Sequence, residues 1–165
     1  MQGFRAGAIV FLCALGVPGT ASLESQAQTA SDKRDLLSDA ARKGDAAAVK
    51  KLLDDGVDVN TKFRYDRTAI SFAADRGHVE VVKVLLDRGA DVTIKDTFYG
   101  ATALTWAVSP AMDRKPQHTE VVQLLLAHGG FSADALTTAL ETATREKLTD
   151  VVALLEKAGA KRKQP

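Results

Sequence analysis

Hydrophobic and polar residues alternate along most of this chain in a pattern typical of short amphipathic helices. The clearest stretch is 66–91, DRTAISFAADRGHVEVVKVLLDRGAD. Its apolar residues recur at helical spacing on both sides of Gly77, which predicts a first helix over 69–76 and a second over 78–88. Thr68 is the predicted N-cap of the first helix, and Gly77 ends it because glycine adopts the left-handed conformation at little cost.

The same helix–turn–helix pattern occurs four times along the chain. A shift of 33 residues aligns 40–44 with 73–77, and the triplets 102–104 and 138–140 repeat 68–70 in the same frame. A unit this short cannot bury its own apolar face, so the copies must stack on one another. The sequence therefore predicts an all-α solenoid of four stacked helix–turn–helix repeats, with loops projecting between them.

Residues 68–92 carry a recognisable consensus. The pattern is Thr-x-Leu-x-x-Ala-Ala-x-x-Gly-His-x-Glu-Val-Val-x-x-Leu-Leu-x-x-Gly-Ala-Asp-Val, with Ile70 in place of the first leucine. This pattern resembles the ankyrin repeat, although the proline and histidine of that family's Thr-Pro-Leu-His are absent. The resemblance implies one ankyrin-repeat domain over 34–163. Its implied repeats are about 34–66, 67–99, 100–132 and 133–163.

The N-terminal segment differs in character from the repeats. Arg5 is followed by an uncharged apolar run over 6–17 and then by small residues, which is the arrangement of a secretory signal peptide. The run is shorter than the roughly 20 residues that a membrane span needs. We expect cleavage after Ala21 or Ala27, with retention as an uncleaved anchor as the alternative. The predicted boundaries are a signal peptide over 1–27 and a flexible leader over 28–33.

Export and composition limit the classes of function. The signal predicts a periplasmic or secreted protein, and its removal takes away Cys13, the one cysteine of the sequence. The mature chain then has no disulfide, thiolate nucleophile or cysteine-based metal site. The formal net charge of +1 gives no indication of nucleic-acid or anionic-membrane binding. We expect a monomer without nucleic-acid binding and without stable membrane insertion after cleavage.

No constellation of residues in the sequence indicates catalysis. His78 and His118 occupy the same repeat position, for which the resemblance implies a structural role, and His128 precedes a glycine pair at a helix C-terminus. No histidine and carboxylate spacing suggests a metal site, and the sequence has no glycine-rich phosphate loop. We therefore predict a protein that is not an enzyme, with no cofactor and no metal ion.

The third repeat contains an insertion at 109–117. Pro110 is expected to end the preceding helix near Val108, and the second helix restarts at His118. Insertions in repeat arrays map to loops, which can be functional or simply tolerated at the surface. A remote alternative function, a small enzyme, would use this loop by pairing His118 with Asp113.

The aromatic residues cluster in one part of the repeat frame. The resemblance implies that the turns between repeats project as fingers, and that the position shared by Phe72 and Trp106 faces a concave groove. Exposed rings of this kind mark interaction sites and dominate binding energies. The alternative is that the rings pack against one another and cover the core. The finger aromatics are Phe63 and Tyr65 in one turn, and Phe98 and Tyr99 in the next.

We predict a non-catalytic protein–protein interaction module that binds a protein partner through its finger loops and concave helix face. The alternative is a dedicated inhibitor or immunity-type protein that acts against an exported toxin or enzyme. Phe72 and Trp106 would be the groove anchors, and nearby arginines would supply a cationic rim. The candidate partner-binding residues are Phe63, Arg64, Tyr65, Phe72, Arg76, Phe98, Tyr99 and Trp106.

Overall fold

The computed structural model of the protein describes residues 20–109 and 115–162. The described residues form eight α-helices and one short 3-10 turn, Arg64–Asp66, and contain no β-strand. The helices are α1 (Thr20–Lys43), α2 (Ala46–Asp54), α3 (Ala69–Arg76), α4 (Val79–Asp87), α5 (Ala103–Val108), α6 (Pro116–His128), α7 (Ala133–Arg145) and α8 (Thr149–Lys157).

The helices pack as four consecutive pairs, and these pairs are arranged in two layers. The pairs are α1 with α2, α3 with α4, α5 with α6, and α7 with α8. The first helices α1, α3, α5 and α7 contact one another in that order, and the second helices α2, α4, α6 and α8 do the same. The prediction of an all-α solenoid built from four stacked helix pairs is therefore confirmed.

Two repeating rows of aliphatic side chains lie between the layers. Each row takes one side chain from the same position of every repeat, so each helix pair buries its apolar face against its neighbours. Burying a leucine or isoleucine contributes about 1.5–3 kcal/mol, and no isolated pair could bury these residues alone. The first-helix row is Leu37, Ile70, Leu104 and Leu140, and the second-helix row is Leu52, Leu85, Leu125 and Leu155.

Histidines at the start of the second helices join each central repeat to the one before it. His78 Nε2 donates to the backbone carbonyl of Arg42 over 3.0 Å. In the same way, His118 Nε2 donates to the carbonyl of Asp75 over 3.2 Å. These carbonyls lie near the ends of α1 and α3, where the helix leaves its last acceptors unpaired. The predicted structural role of His78 and His118 is confirmed.

The glycines below these rings are required for two reasons. Gly77 has φ +70°, and a Cβ built on it would lie 3.0 Å from Cε1 of His118. A Cβ on Gly44, at φ +80°, would lie 2.6 Å from Nδ1 of His78. Lys147 holds this place in the last helix pair and also adopts a positive φ, +57°. No described repeat follows the last helix pair, and no histidine of the described residues packs over its turn. The side chain of Lys147 is therefore accommodated there.

Most predicted helix boundaries agree with the structure. The helix α3 has the predicted bounds, and α5 ends at Val108 as expected from Pro110. Two details differ. The hydroxyl of Thr68 lies 3.1 Å from the hydroxyl of Ser71 and caps no backbone N–H. The helix α6 begins at Pro116, two residues before the predicted restart, because proline is favoured in the first turn of a helix.

The N-terminal part of the described chain is helical where we expected a leader. Residues 28–33 belong to α1 and are continuous with the first repeat. The sequence of α1 contains no glycine or proline, so nothing in it ends a helix before Gly44. Both expected cleavage sites, after Ala21 and after Ala27, fall within α1. Residues 1–19 of the expected signal peptide and residues 110–114 of the insertion lie outside the described residues.

Candidate partner-binding surface

The loop that joins the second and third repeats is built around one buried carboxylate. We call residues 95–101 the second finger. Asp96 is 4% exposed. Its carboxylate accepts hydrogen bonds from the backbone N–H groups of Phe98 (2.9 Å), Tyr99 (2.6 Å) and Ala101 (3.1 Å) and from the indole N–H of Trp106 (3.0 Å). A buried carboxylate with this many partners fixes the groups around it. Asp96 therefore holds the loop to α5.

The preceding loop, residues 62–67, which we call the first finger, is held mainly by its own backbone. The N–H of Phe63 donates to the carbonyl of Arg67 over 2.8 Å, and the N–H of Asp66 donates to the carbonyl of Phe63 over 3.0 Å. Tyr65 and Asp66 both adopt positive φ angles, +62° and +57°. Such a conformation is uncommon for any residue with a Cβ and costs about 1–2 kcal/mol per residue.

The two fingers contact each other directly. The N–H of Thr97 donates to the carbonyl of Tyr65 over 2.8 Å. The ring centroids of Tyr65 and Phe98 lie 5.2 Å apart, and those of Phe98 and Tyr99 lie 4.5 Å apart at a near-perpendicular angle. Tyr99 in turn meets Trp106 edge to face at 5.6 Å. These separations are those of favourable aromatic pairs.

Three of these rings are exposed as well as packed. Tyr65 is 46% exposed, Phe98 61% and Tyr99 71%. We call these three residues the aromatic ridge. Among the described residues, the one other large apolar side chain with comparable exposure is Leu36 on α1. Since contiguous exposed apolar surface marks interaction sites, the ridge is the best candidate for partner contact.

The expectation that Phe72 and Trp106 are exposed groove anchors is wrong. Phe72 is 5% exposed and Trp106 is 8% exposed. The guanidinium of Arg42 lies 4.1 Å from the Phe72 ring centroid, and Arg67 lies 4.4 Å from the same ring and 4.0 Å from that of Trp106. Arginines and Tyr99 thus cover the two rings. For Phe72 and Trp106, the alternative that aromatic rings pack over the core is the correct one.

Arg67 joins these rings, a role that was not predicted from the sequence. Its guanidinium forms an ion pair with Asp75 at 3.1 Å and donates to the carbonyl of Ser71 over 3.2 Å. Burial lowers the pKa of Arg67, and the hydrogen bond and charge of Asp75 act in the opposite direction. Its buried Nε has no hydrogen-bond partner among the residues that the structure describes. The sequence signal was weak: an arginine in the turn beside aromatic positions of successive helices.

The remaining candidates occupy different places. Phe63 is half-buried and packs on Phe72 with ring centroids 5.9 Å apart, so it supports the first finger from below. Arg64 is exposed; it donates to the hydroxyl of Tyr65 over 2.9 Å and lies 4.8 Å from that ring's centroid. Arg76, at the end of α3, lines a separate cavity of about 300 Å³ with His78 and other basic residues.

A cavity of about 490 Å³ adjoins the aromatic ridge. It lies between the second finger, α5 and α7. Its lining mixes two aromatic rings, hydroxyl groups and one guanidinium, which is the kind of surface that accepts an amphipathic side chain. The lining residues are Tyr99, Ala101, Thr105, Trp106, Ser109, Thr142 and Arg145.

The described part of the chain shows neither a metal site nor a membrane span. Within residues 20–109 and 115–162, no three histidine, cysteine, aspartate or glutamate side chains come together in a manner that could hold a metal ion. Over the same residues, no helix combines the length and the apolar character needed to cross a membrane.

Comparison with known proteins gives one family. A family model described as Ankyrin repeats (3 copies) matches the chain over residues 10–96 and 37–131. Together the two matched ranges cover the first three helix pairs and most of the sequence. A comparison with curated proteins finds no match.

Proposed function

Because the chain belongs to the ankyrin-repeat family, whose repeats are generally protein–protein interaction modules, we propose that it binds a protein partner through the aromatic ridge and the adjoining first-helix face. The observation that carries this proposal is the exposure of Tyr65, Phe98 and Tyr99 side by side on two successive fingers. Tyrosine is enriched among the residues that dominate binding energies, and contact with a partner would bury all three rings.

Preorganisation of the ridge supports the proposal. The second finger is held by the four hydrogen bonds to Asp96, and the first finger is joined to it through Thr97 and Tyr65. Rings that are already fixed lose little conformational entropy on docking, so more of their burial contributes to affinity. The cavity beside Tyr99 would receive a side chain of the same partner.

The role of each candidate residue is revised accordingly. Tyr65, Phe98 and Tyr99 would contact the partner directly, and Arg64 would contribute a charged group beside Tyr65. Phe63, Phe72 and Trp106 would act indirectly, as the support on which the fingers rest. Arg76 lies away from the ridge and lines a different cavity. The function proposed is binding without catalysis.

We also propose that the partner is met outside the cytoplasm, in a periplasm or after secretion. The basis is the sequence alone: Arg5, the apolar run 6–17 and the small residues that follow. Fractionation of cells that express the full chain with a C-terminal tag tests this. Recovery of a shortened chain from the periplasm or the medium is expected, and a full-length chain confined to the cytoplasm contradicts it.

Affinity capture tests the binding function. The full chain with a C-terminal tag is captured from its source cells, and bound proteins are quantified by mass spectrometry. The variant Phe98→Ala/Tyr99→Ala should lose at least about 90% of the specific partner, because hot-spot rings often contribute 2 kcal/mol or more each. The matched control is Leu36→Ala, which removes an exposed apolar side chain from α1.

Three outcomes are informative. Loss of the partner in the finger variant, with retention in the Leu36 variant, supports the proposal. Equal retention in both variants excludes the ridge as the contact surface. A single stoichiometric partner that is itself an exported toxin or enzyme would identify the protein as the inhibitor that the sequence analysis left as an alternative.

A further inference from the structure

Two cavities beside the first-helix layer share one arginine and are lined mainly by basic residues. One, of about 380 Å³, lies between α1 and the first finger and includes Arg34, Arg42 and Arg64. The other, of about 300 Å³, lies where α1 and α3 end and α6 begins. Arg42 lines both, so the two cavities are neighbours. We call six of their cationic residues the basic strip: Arg34, Arg42, Lys43, Arg64, Arg76 and Lys115.

The cations of the strip have no carboxylate partners in the described part of the chain. None of the six forms an ion pair with a residue in 20–109 or 115–162. Arg42 instead stacks on Phe72, Arg34 donates to the carbonyl of Lys62, and Arg64 contacts Tyr65. Charges grouped in this way repel one another, and a ligand of opposite charge relieves that repulsion.

Three acidic residues near the strip are committed to interactions within the fold. Asp75 is 5% exposed and pairs with Arg67, Asp96 is held by the second finger, and Asp66 pairs with Lys62. Of the residues that line the two cavities, Asp35 is the exposed carboxylate. Asp39 and Asp45 are also exposed but line neither cavity, so the excess of positive charge is a property of the two cavity linings.

The second-helix layer carries a group of exposed acids, which lie on α2, α4, α6 and α8 or at the ends of these helices. They are Asp45, Asp54, Asp55, Glu80, Asp87, Glu120, Asp150 and Glu156. Exposed lysines on the same helices, Lys50, Lys51 and Lys157, lie among these acids, so the second-helix layer of the described chain has no comparable group of cations without acids.

We infer that the basic strip binds an acidic segment of the protein partner, rich in aspartate or glutamate. The inference rests on the proposed function and specifies the chemistry of the partner. Guanidinium groups pair with carboxylates in a two-pronged geometry, and three arginines of the strip are exposed for such pairing. Because Arg64 belongs both to the strip and to the first finger, one partner segment can contact the strip while its neighbour covers the ridge.

A protein segment is favoured over nucleic acid for two reasons. Domains that bind nucleic acid carry a general excess of positive charge, which a formal net charge of +1 does not provide. The strip also adjoins an exposed apolar ridge whose rings pack on one another, and such a surface suits the mixed apolar and charged contacts of a protein interface.

A charge-matched pair of variants tests the inference. The strip variant is Arg34→Gln/Lys43→Gln/Lys115→Gln, and the control is Lys50→Gln/Lys51→Gln/Lys157→Gln, which lowers the net charge equally at exposed positions without ion pairs to described residues. The probe is a fluorescein-labelled octaglutamate peptide, and its anisotropy is followed in about 20 mM and about 200 mM salt. A single-stranded DNA oligomer and phosphatidylglycerol vesicles are titrated in parallel.

We expect the strip variant to bind the peptide about tenfold more weakly than the wild type and the control less than about twofold, since three local charge pairs are lost in only one of them. Raising the salt should remove most of the difference. Equal weakening in both variants, absence of peptide binding, or tighter binding of DNA or vesicles than of the peptide each overturns the inference.

The captured natural partner separates this inference from the proposed function. In one outcome, the strip variant retains the partner while Phe98→Ala/Tyr99→Ala loses it. This result contradicts binding by the basic strip but leaves the ridge as the binding surface. Retention by the finger variant contradicts the proposed function, whatever the strip variant does. Loss from both variants, with retention by the charge-matched control, supports both.

Discussion

The two fingers lie at equivalent places in successive repeats, but different interactions hold them. In the second finger a buried carboxylate, Asp96, accepts four hydrogen bonds, and Gly100 takes the positive φ that the turn requires. In the first finger, Phe63 occupies the position of Asp96, and two residues with side chains adopt positive φ. Its one carboxylate, Asp66, pairs with Lys62 at the surface.

This difference indicates which finger determines the shape of the proposed binding surface. Hydrogen bonds to a buried carboxylate are directional and poorly screened, so the second finger has one strongly favoured conformation. The first finger carries backbone strain and exposed charge, and it depends on its neighbour through Thr97 and the contact between Tyr65 and Phe98. We therefore expect the second finger to organise the first.

The largest expected effect is from truncating the aromatic support of the second finger. Trp106→Ala should lower the free energy of unfolding by about 3–5 kcal/mol, because it removes a buried ring and the indole donor to Asp96. Phe63→Ala, in the half-buried support of the first finger, should cost about 1–2 kcal/mol. Urea denaturation followed by circular dichroism measures both. Similar costs for the two variants would remove the asymmetry between the fingers.

A sharper test compares the two finger carboxylates. Asp96→Ala leaves the buried donors of Ala101 and Trp106 without an acceptor and should cost about 3 kcal/mol. Asp66→Ala removes only an exposed ion pair and should cost less than about 0.5 kcal/mol. The variant Asp96→Asn, which retains one oxygen, should fall between them. An Asp96→Ala protein as stable as wild type would show that the carboxylate does not hold the finger.

Because of backbone strain, substitutions at matching positions of the two fingers should change the stability of the protein in opposite directions. Asp66→Gly should stabilise the protein by about 0.5 kcal/mol, because the relief of a positive φ outweighs a surface ion pair. Gly100→Ala should destabilise it by about 1 kcal/mol, because alanine is strained at φ +64°. Thermal unfolding of both variants measures whether each one is more or less stable than the wild type. If both changes destabilise, the strain assigned to the first finger is absent.

The smallest effect is a pH dependence at the base of the second finger. The Asp91 carboxylate accepts hydrogen bonds from the hydroxyl and the N–H of Thr93, and these lower its pKa. Because the folded pKa lies below the unfolded value, Asp91 contributes stability above about pH 4, and this is lost as the pH falls through the folded pKa. The contribution should be less than about 0.5 kcal/mol, since the side chain is exposed.

A pH series of unfolding free energies for wild type and Asp91→Asn tests this dependence. The difference between the two proteins should be largest near neutral pH and should shrink on acidification. A difference that grows as the pH falls would mean that the hydrogen bonds of Thr93 favour the protonated form of the carboxylate.

The fold could be predicted because its determinants repeat. Apolar residues at helical spacing recur in every copy, and a glycine lies between the helices of the first two pairs, so one clear repeat identified the others. The positions of Gly77 and Val108 as helix ends follow from local backbone chemistry. The helical state of 28–33 was missed because polar composition was taken as a sign of flexibility, although no residue there ends a helix.

The site was predicted only in part, because burial of a ring depends on what lies over it. Phe98 and Tyr99 were correctly placed on an exposed finger, but periodicity could not show that Arg42 and Arg67 cover Phe72, or that Tyr99 covers Trp106. The role of the Asp96 carboxylate in holding the second finger was not predicted. Its position just before the finger aromatics is typical of a side chain that caps a turn, and that signal could have identified it.

The most direct test of the account is amide hydrogen exchange of the protein alone and in complex with its captured partner. The account predicts that binding slows exchange in the first finger (62–67), the second finger (95–101) and the adjoining ends of α1 and α3, where the basic strip lies. The amides of α2, α4 and α8 should exchange at unchanged rates. Protection confined to these second helices, with both fingers exchanging as in the free protein, would contradict the central claim that the fingers form the binding surface.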